Sequence, residues 1–525
     1  MVDINFEHNR TRVVHAPVGW AGFIAALVIG ALVIAVLGTV FWVGYQGSDD
    51  GSYVDAALAW YRHFPQVGHS HWALRYPIVF ALDLGFRIFG ISELAIGLSM
   101  LAYLFALAAV SIWMLQRWFG LAESLIFVVV FCAMPGVIVI STYANEDIPE
   151  LFYVATSFAF YCAAYESSRP RLLLVCAGLA AGIAFMTRET TAGLILAYGL
   201  LFLFRPGLKR TDYFFMGFGF AILILAEMAY FTVEVGNPLW RFTIDLHHGA
   251  VDRATAVRPG QVLDREGNLS FRGLLGEVVA PLLVFFASQK YAAIFYAMLC
   301  VIPLLLRRGW SNMQRTFLIA AAVLFAAWAG FIIFNISLLY LVPRYFVVTA
   351  WVAAIFVAIG LVRLWRAWPR LAGVLLAALL VSDAACLYVE DTDPIQASRA
   401  AIAVALQHHE PVYTDPITRR RGRFLAQVAG VDDDIIAARP KPGSLYVLAP
   451  DSLARCYDPS CAAYLDHPIS TRDMKKIEQI TPPPRAIGAL LDKLKLTPLI
   501  PPQIRRKLIQ PNSGVTVYRV GDRNG

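Results

Sequence analysis

The chain has 525 residues, of which 58% are hydrophobic and 15% charged, and its mean hydropathy is +0.60. That balance excludes a water-soluble globular protein, in which charged residues make up roughly a quarter of the chain. The formal charge of +7 comes from short basic clusters between apolar runs, not from one continuous basic face, so nucleic acid is not expected as a partner.

The first apolar run, Val18–Val43, follows MVDINFEHNRTR; it is too long for a signal-peptide core and has no small-residue cleavage site, so it reads as a retained membrane helix. Further runs long enough to cross the bilayer fall at Glu93–Gln116, Leu121–Thr142, Ile148–Tyr165, Leu172–Thr187, Thr191–Phe204, Tyr213–Val233, Pro281–Leu306, Phe317–Ser337, Tyr345–Leu364 and Leu371–Tyr388. The expectation is an α-helical polytopic membrane protein with about eleven transmembrane helices.

Arg10 and Arg12, Arg117, Arg169 and Arg171, Arg205 with Lys209 and Arg210, Arg307 with Arg308 and Arg315, and Arg363 with Arg366 and Arg370 then fall on one side, which the positive-inside rule makes cytoplasmic. This alternation requires that Pro77–Gly90, short and interrupted by Asp83 and Arg87, lie in the interface instead of spanning. The loop 45–92, the short loop around Glu146–Asp147, the Glu234–Ala280 loop, the Leu338–Arg344 loop and everything after Glu390 then share the outer side.

Beyond Asp391 hydropathy falls, and Pro411–Tyr413, Ser444–Ala449 and Gly514–Val520 read as strands between helix-like segments. The chain thus divides into a membrane domain, 1–390, and a small extracytoplasmic α/β domain, 391–525. Five of the seven cysteines lie in or beside apolar runs as small hydrophobes, while Cys456 and Cys461, five apart in polar sequence, either close a disulfide, if the compartment is oxidising, or stay unpaired.

Chemistry gathers in the outer loops. Asp49 and Asp50 follow the first helix, and two adjacent carboxylates suit a general base or a divalent cation, although Asp also caps helices and one starts near Ser52. Glu146 and Asp147 sit in a short loop between two spans, where charge is costly and usually functional. Arg344, in LYLVPRYF at the mouth of a span, Arg188, in MTRETTAG with Glu189 as a partner, and Arg75 are the cations suited to phosphate oxygens, against the reading of each as a snorkelling or structurally paired arginine. His69 and His71 in GHSHW are weaker candidates for a metal or phosphate, and His247 and His248 weaker still. The tail run Arg419–Arg421 with Arg423 reads as a solvated or lipid-facing patch.

Taken in order, Asp49 four residues before Tyr53, Arg75 with Pro77, Phe89-Gly90 closing an interfacial helix, the acidic Glu146-Asp147 loop after the third span, and a late Pro-Arg-Tyr with Arg344 and Tyr345 resemble the GT-C superfamily, in particular bacterial protein O-mannosyltransferases and aminoarabinose transferases. The resemblance covers roughly residues 18 to 390 and departs from the family's Pro-Pro, which is Tyr76-Pro77 here. It implies a glycosyltransferase on the outer face of the bacterial cytoplasmic membrane, moving a sugar from a polyprenyl-phosphate donor to a lipid, glycan or protein acceptor by an inverting displacement. Asp49 would be the base, Asp50 an assisting group or metal ligand, and a divalent metal ion the one cofactor to consider. The alternatives are a secondary transporter or flippase, for which Glu227 is the main mid-span charge, and a scaffold indifferent to changes in the acidic loops.

Overall fold

The computed structural model describes residues 19–204, 208–246, 284–335, 343–454, 464, 469–481, 486–500, 505, 508–509 and 514–521. His247, His248, Cys456 and Cys461 lie outside the described residues. The bundle consists of α1 (Trp20–Val40), α2 (Asp49–Arg62), α3 (Tyr76–Phe89), α4 (Glu93–Trp118), α5 (Leu121–Ala133), α6 (Pro135–Ile138), α7 (Asp147–Ala164), α8 (Pro170–Thr187), α9 (Ala192–Phe204), α10 (Tyr213–Val235), α11 (Ile294–Leu305), α12 (Asn312–Phe334), α13 (Val347–Ala367) and α14 (Pro369–Tyr388). Among the described residues seven helices are long and apolar enough to cross a membrane, or eight if α5 and the segment Pro135–Thr142 form one bent span. The more polar α7 and the shorter α9 and α11 pack among them.

Small residues set how closely these helices approach. Helix α1 turns Ala26, Gly30, Ile34 and Gly38, spaced at four, toward α4 and α5, and leaves Ile24, Val28, Leu32 and Val36 exposed, as a lipid-facing stripe would be. Helices α8 and α10 touch through their backbones: a Cβ on Gly178 would stand 2.0 Å from the Met216 carbonyl oxygen, and one on Gly219 2.2 Å from that of Val175. Helix α13 is buried without interruption from Val347 to Val362 and forms the centre of the bundle, consistent with a sequence apolar on every side.

Of the eleven predicted spans, Ile148–Tyr165 and Thr191–Phe204 form α7 and α9, which fall outside the seven long apolar helices, and two more are broken in the structure. Leu121–Thr142 is not one rod: Met134 is extended, Pro135 starts a new helix, and the axis bends by 75°. Proline supplies the cause, since its ring disfavours helical geometry in the residue before it and it has no N–H to continue the ladder. The bend returns Thr142 to the end of α1, where its carbonyl accepts from Gly44 N–H at 3.1 Å and its hydroxyl from Val43 N–H at 3.1 Å. In the described part of Pro281–Leu306, residues 284–287 are helical and a turn intervenes before α11. That turn exposes Lys290 to Glu390 at 2.5 Å.

Pro77–Gly90 forms the amphipathic α3, which packs Ile78, Val79, Leu82 and Phe86 against α2 and α4 and exposes Phe80, Leu84 and Ile88. C-terminal to the bundle, α15 (Gln396–His408) and α16 (Pro416–Ala429) cover a five-stranded mixed sheet. Its order is β2 (Ile435–Ile436), β1 (Val412–Tyr413), β3 (Leu445–Leu448), β5 (Val515–Val520), β4 (Met474–Ile480), parallel over the first three and antiparallel over the last three. The three predicted strands are β1, β3 and β5; β2 has two residues, and β4 reads as polar because five of its seven residues are exposed.

This region sits directly on the loop between α1 and α2. Phe424 packs at a tilt against Tyr45, ring centroids 5.1 Å apart, and stacks on Phe86 at 6.4 Å, and Arg399 reaches Glu93 with one Nη at 3.0 Å. Gly47 has φ +64°, and a Cβ there would stand 2.2 Å from the Arg421 carbonyl oxygen, so the chains can meet only at glycine. Arg419 pairs with Asp432 at 2.7 Å and Arg421 is half-buried, so the basic run is partly built into this junction.

Candidate active site

Loops and helix ends at one end of the bundle bring together the acids and arginines singled out in the sequence. Asp49 and Asp50 open α2, Glu146 precedes α7, Arg188 caps α8, Arg75 precedes α3, and Arg344 lies in the 3₁₀ turn Pro343–Phe346 that leads into α13. Glu146 is the hub. Its carboxylate lies 3.2 Å from Arg75, 3.3 Å from Arg188 and 3.8 Å from Arg344, and accepts the Tyr53 hydroxyl at 2.9 Å. Burial alone would raise its pKa, but Arg344, Arg75 and Arg188 together hold the carboxyl well below the usual range.

The two members of each acidic pair do different work. Asp50 is buried and turns back into its own loop, accepting the backbone N–H groups of Gln46 at 2.5 Å, Ser48 at 2.6 Å and Gly47 at 3.3 Å. Burial pushes its carboxyl up to about 6 against those three bonds. Asp50 therefore shapes the loop, and its oxygens are taken. Asp49 is 37% exposed, with one oxygen 3.3 Å from Nη2 of Arg344; its other oxygen has no partner among the described residues. In the second pair, Asp147 binds Arg188 at 2.5 Å beneath Glu146.

The arginines divide likewise. Arg188 is buried among Glu146, Asp147 and, at 3.8 Å, Glu150, with the Tyr345 ring 4.3 Å from its guanidinium. Glu150 in turn accepts the Thr190 and Thr191 hydroxyls at 2.6 and 2.9 Å. Arg75 is buried and donates to Tyr53 and to Nε2 of His71. Arg344 alone of the three is substantially exposed, at 34%, and its Nε has no hydrogen-bond partner. Arg188 and Arg75 thus brace Glu146, and the open edge of the cluster consists of Asp49 and Arg344. Charge-assisted bonds from such an arginine to phosphate oxygens are strong and directional.

Behind Arg75 runs a second chain of polar contacts. Because arginine only donates, Nε2 of His71 accepts from Arg75, and Nδ1–H donates to Asp245 at 2.5 Å, which fixes a neutral tautomer. Glu189 does not pair with Arg188, as its sequence neighbourhood suggests, but lies 4.0 Å from Arg75 and 3.4 Å from Arg241. Arg241 also grips Glu227 at 2.6 Å and the Leu74 carbonyl at 2.7 Å. His71, Glu189 and Asp245 place one ligand atom each within 4.8 Å of one another, a donor set that fits a divalent cation at the cost of the His71 bonds to Arg75 and Asp245. His69 is exposed and rests edge-on against Trp240 at 5.9 Å, away from the acids.

No protein-family model and no curated protein matches the chain. Among solved structures, ArnT from Cupriavidus metallidurans bound to undecaprenyl phosphate superposes with a TM-score of 0.52 at 14% identity, over 88% of this chain and 97% of that one. Its apo form gives 0.51 and 16%, over 88% and 96%. The chain has the GT-C fold. A weaker likeness, with a TM-score of 0.45 and 12% identity over 79% and 64% of the two chains, links it to the oligosaccharyltransferase AglB from Archaeoglobus fulgidus.

On this GT-C scaffold, sequence reasoning missed Glu150, Arg241 and Asp245. The first lies inside a predicted span, one turn after the Glu146–Asp147 pair, where an i,i+4 acid on the same face was a readable signal. The other two sit far along the chain in a helical segment, residues 240–246, and only the fold brings them to Arg75.

Proposed function

We propose that this protein transfers a sugar from a polyprenyl-phosphate-linked donor to an acceptor hydroxyl at the outer face of a bacterial cytoplasmic membrane, with the C-terminal region on the same side. The carrying observation is Asp49: a half-exposed carboxylate with one oxygen held by Arg344 and the other open, at the rim of a buried arginine cluster in a GT-C fold. In this reading Asp49 orients the acceptor hydroxyl and takes its proton as the oxygen attacks the anomeric carbon. The bond from that carbon to the phosphate oxygen breaks on the opposite face, inverting the centre, and the departing phosphate's added charge falls to Arg344.

Glu146 keeps Arg344 and the Tyr345 turn in place, while Arg75 and Arg188 offset the buried acid. If a divalent ion is bound, its protein ligands are His71, Glu189 and Asp245, and it would fix the loop behind Arg75. The transporter reading loses its main support, because Glu227 is neutralised by Arg241.

The test is Asp49→Asn in membranes supplied with radiolabelled polyprenyl-phosphate sugars. Transfer should fall by about a hundredfold or more, the usual share of a general base, while the protein folds normally. Wild-type rates in the variant would refute the assignment of Asp49.

A further inference from the structure

A second polar cavity lies at the opposite end of the bundle. It has a volume of about 400 Å³, within the roughly 300–1,000 Å³ typical of small-ligand sites, and opens between the ends of α4, α11 and α13 and the starts of α5 and α12. Helix α13 separates it from Arg344: Val347 to Arg363 is about 24 Å of helix at 1.5 Å per residue.

Three arginines, Arg307, Arg363 and Arg366, line it against a single acid, Glu123. Arg363 is prepositioned: its guanidinium lies 4.3 Å from the Trp310 ring centroid and its Nη2 donates to the Arg308 carbonyl at 2.6 Å, while its Nη1 is a buried donor with no hydrogen-bond partner. Leaving such a donor unpaired costs free energy that an anionic ligand would recover. Arg307 is exposed and has no ionic partner among the described residues. Arg366 reaches the buried Glu123 at 3.5 Å, which offsets that one negative charge and leaves the cavity net positive.

The other wall is apolar, with Phe119, Leu304 and Ile359, and the rim beside it exposes Leu306, Trp365 and Trp368. A site for a free anion has no use for that apolar half. Tryptophan at a helix end beside clustered arginine is the composition of a membrane interface, where basic pockets between helices take lipid headgroups.

We infer that the cavity bounded by Arg307, Arg363, Arg366 and Trp310 binds the phosphodiester headgroup of an anionic phospholipid from the leaflet opposite the Asp49–Arg344 site. The phosphate oxygens meet Arg363 and Arg307, and the glycerol and first acyl carbons lie along Phe119, Leu304 and Ile359. This assignment does not depend on the chain being a glycosyltransferase.

The test uses the full-length protein in detergent, titrated with phosphatidylglycerol, phosphatidylcholine or inorganic phosphate and read by native mass spectrometry. One phosphatidylglycerol should be retained about tenfold more tightly than phosphatidylcholine, and Arg307→Gln/Arg366→Gln, both exposed positions, should remove that preference. Glu123→Gln, which deletes the one acid, should tighten phosphatidylglycerol severalfold and decides the matter if the double variant does not fold. Equal retention of the two lipids overturns the proposal. So does an unchanged preference in the double variant, or displacement of phosphatidylglycerol by equimolar inorganic phosphate, which would mark a simple anion site.

Discussion

Glu146→Gln isolates the hub of the candidate site. The amide keeps an oxygen for the Tyr53 hydroxyl, so the perturbation is mainly the loss of one buried negative charge from among three guanidinium groups at 3.2, 3.3 and 3.8 Å. Arg188 retains Asp147 at 2.5 Å and Arg344 retains Asp49 at 3.3 Å, but Arg75 keeps only Glu189 at 4.0 Å and is left nearly uncompensated. Removing one partner of a buried pair costs about 3–5 kcal/mol. Since two arginines keep another carboxylate, the lower end applies, about 3 kcal/mol, or on the order of a hundredfold in the folded ratio. Denaturant unfolding in detergent micelles, followed by tryptophan fluorescence, measures this.

Adding Arg75→Gln should restore part of the loss, because the orphaned charge goes with it. The pH dependence has a definite sign: the pKa of Glu146 is depressed from 4.5, so its stabilisation is fully present above that value and is lost only as pH falls through the depressed one. The deficit of the variant should therefore be flat from about pH 5 to 8 and narrow only in stronger acid. A variant as stable as wild type, or a double variant in which the two losses simply add, would refute the hub.

Three further outcomes are expected. Arg344→Gln should lower sugar transfer by about a hundredfold through loss of charge at the leaving phosphate, and should cost less stability than Glu146→Gln because Glu146 keeps Arg75 and Arg188 while Asp49 is half-exposed; transfer within threefold of wild type would contradict that role. Gly178→Ala should destabilise by about 1–3 kcal/mol, because its Cβ would meet the Met216 carbonyl at 2.0 Å; unchanged unfolding would show that α8 and α10 can part freely. Asp383, buried in α14 with neither carboxylate oxygen hydrogen-bonded, should tolerate Asn with transfer unchanged and stability equal or improved. A loss of transfer in Asp383→Asn would reveal an intramembrane role that the glycosyltransferase reading does not contain.

Much of this architecture was legible because bilayer thickness imposes a length on apolar runs, and α1, α4, α10 and α12 to α14 follow those runs closely. Demoting Pro77–Gly90 from a span was legible from its length and its two charges, and it put Asp49, Glu146 and Arg344 at one end together. The bend at Met134–Pro135 was also written in the chain but was lost beneath strong hydropathy. The resemblance favoured Asp49 over Asp50 as the base, but the loop-shaping part played by Asp50 could not be read. Asp49 and Asp50 are adjacent and chemically identical; only the fold of the Gln46–Ser48 loop turns one inward onto three N–H groups and leaves the other open. Arg188 and Arg344 likewise look alike in sequence, and the difference between brace and open edge depends on which carboxylates lie nearby.

The contact of Gly47 with the backbone of Arg421 has a consequence for how this protein can be rebuilt or can diverge. The loop carrying Asp49 and the helix carrying Arg421 are moulded on each other, with Phe424 keyed between Tyr45 and Phe86. A chimaera that takes its C-terminal region from another chain of this fold will misplace the loop unless residues 45–50 come from the same donor. The two segments form a single exchangeable unit, though they lie more than three hundred and fifty residues apart in sequence.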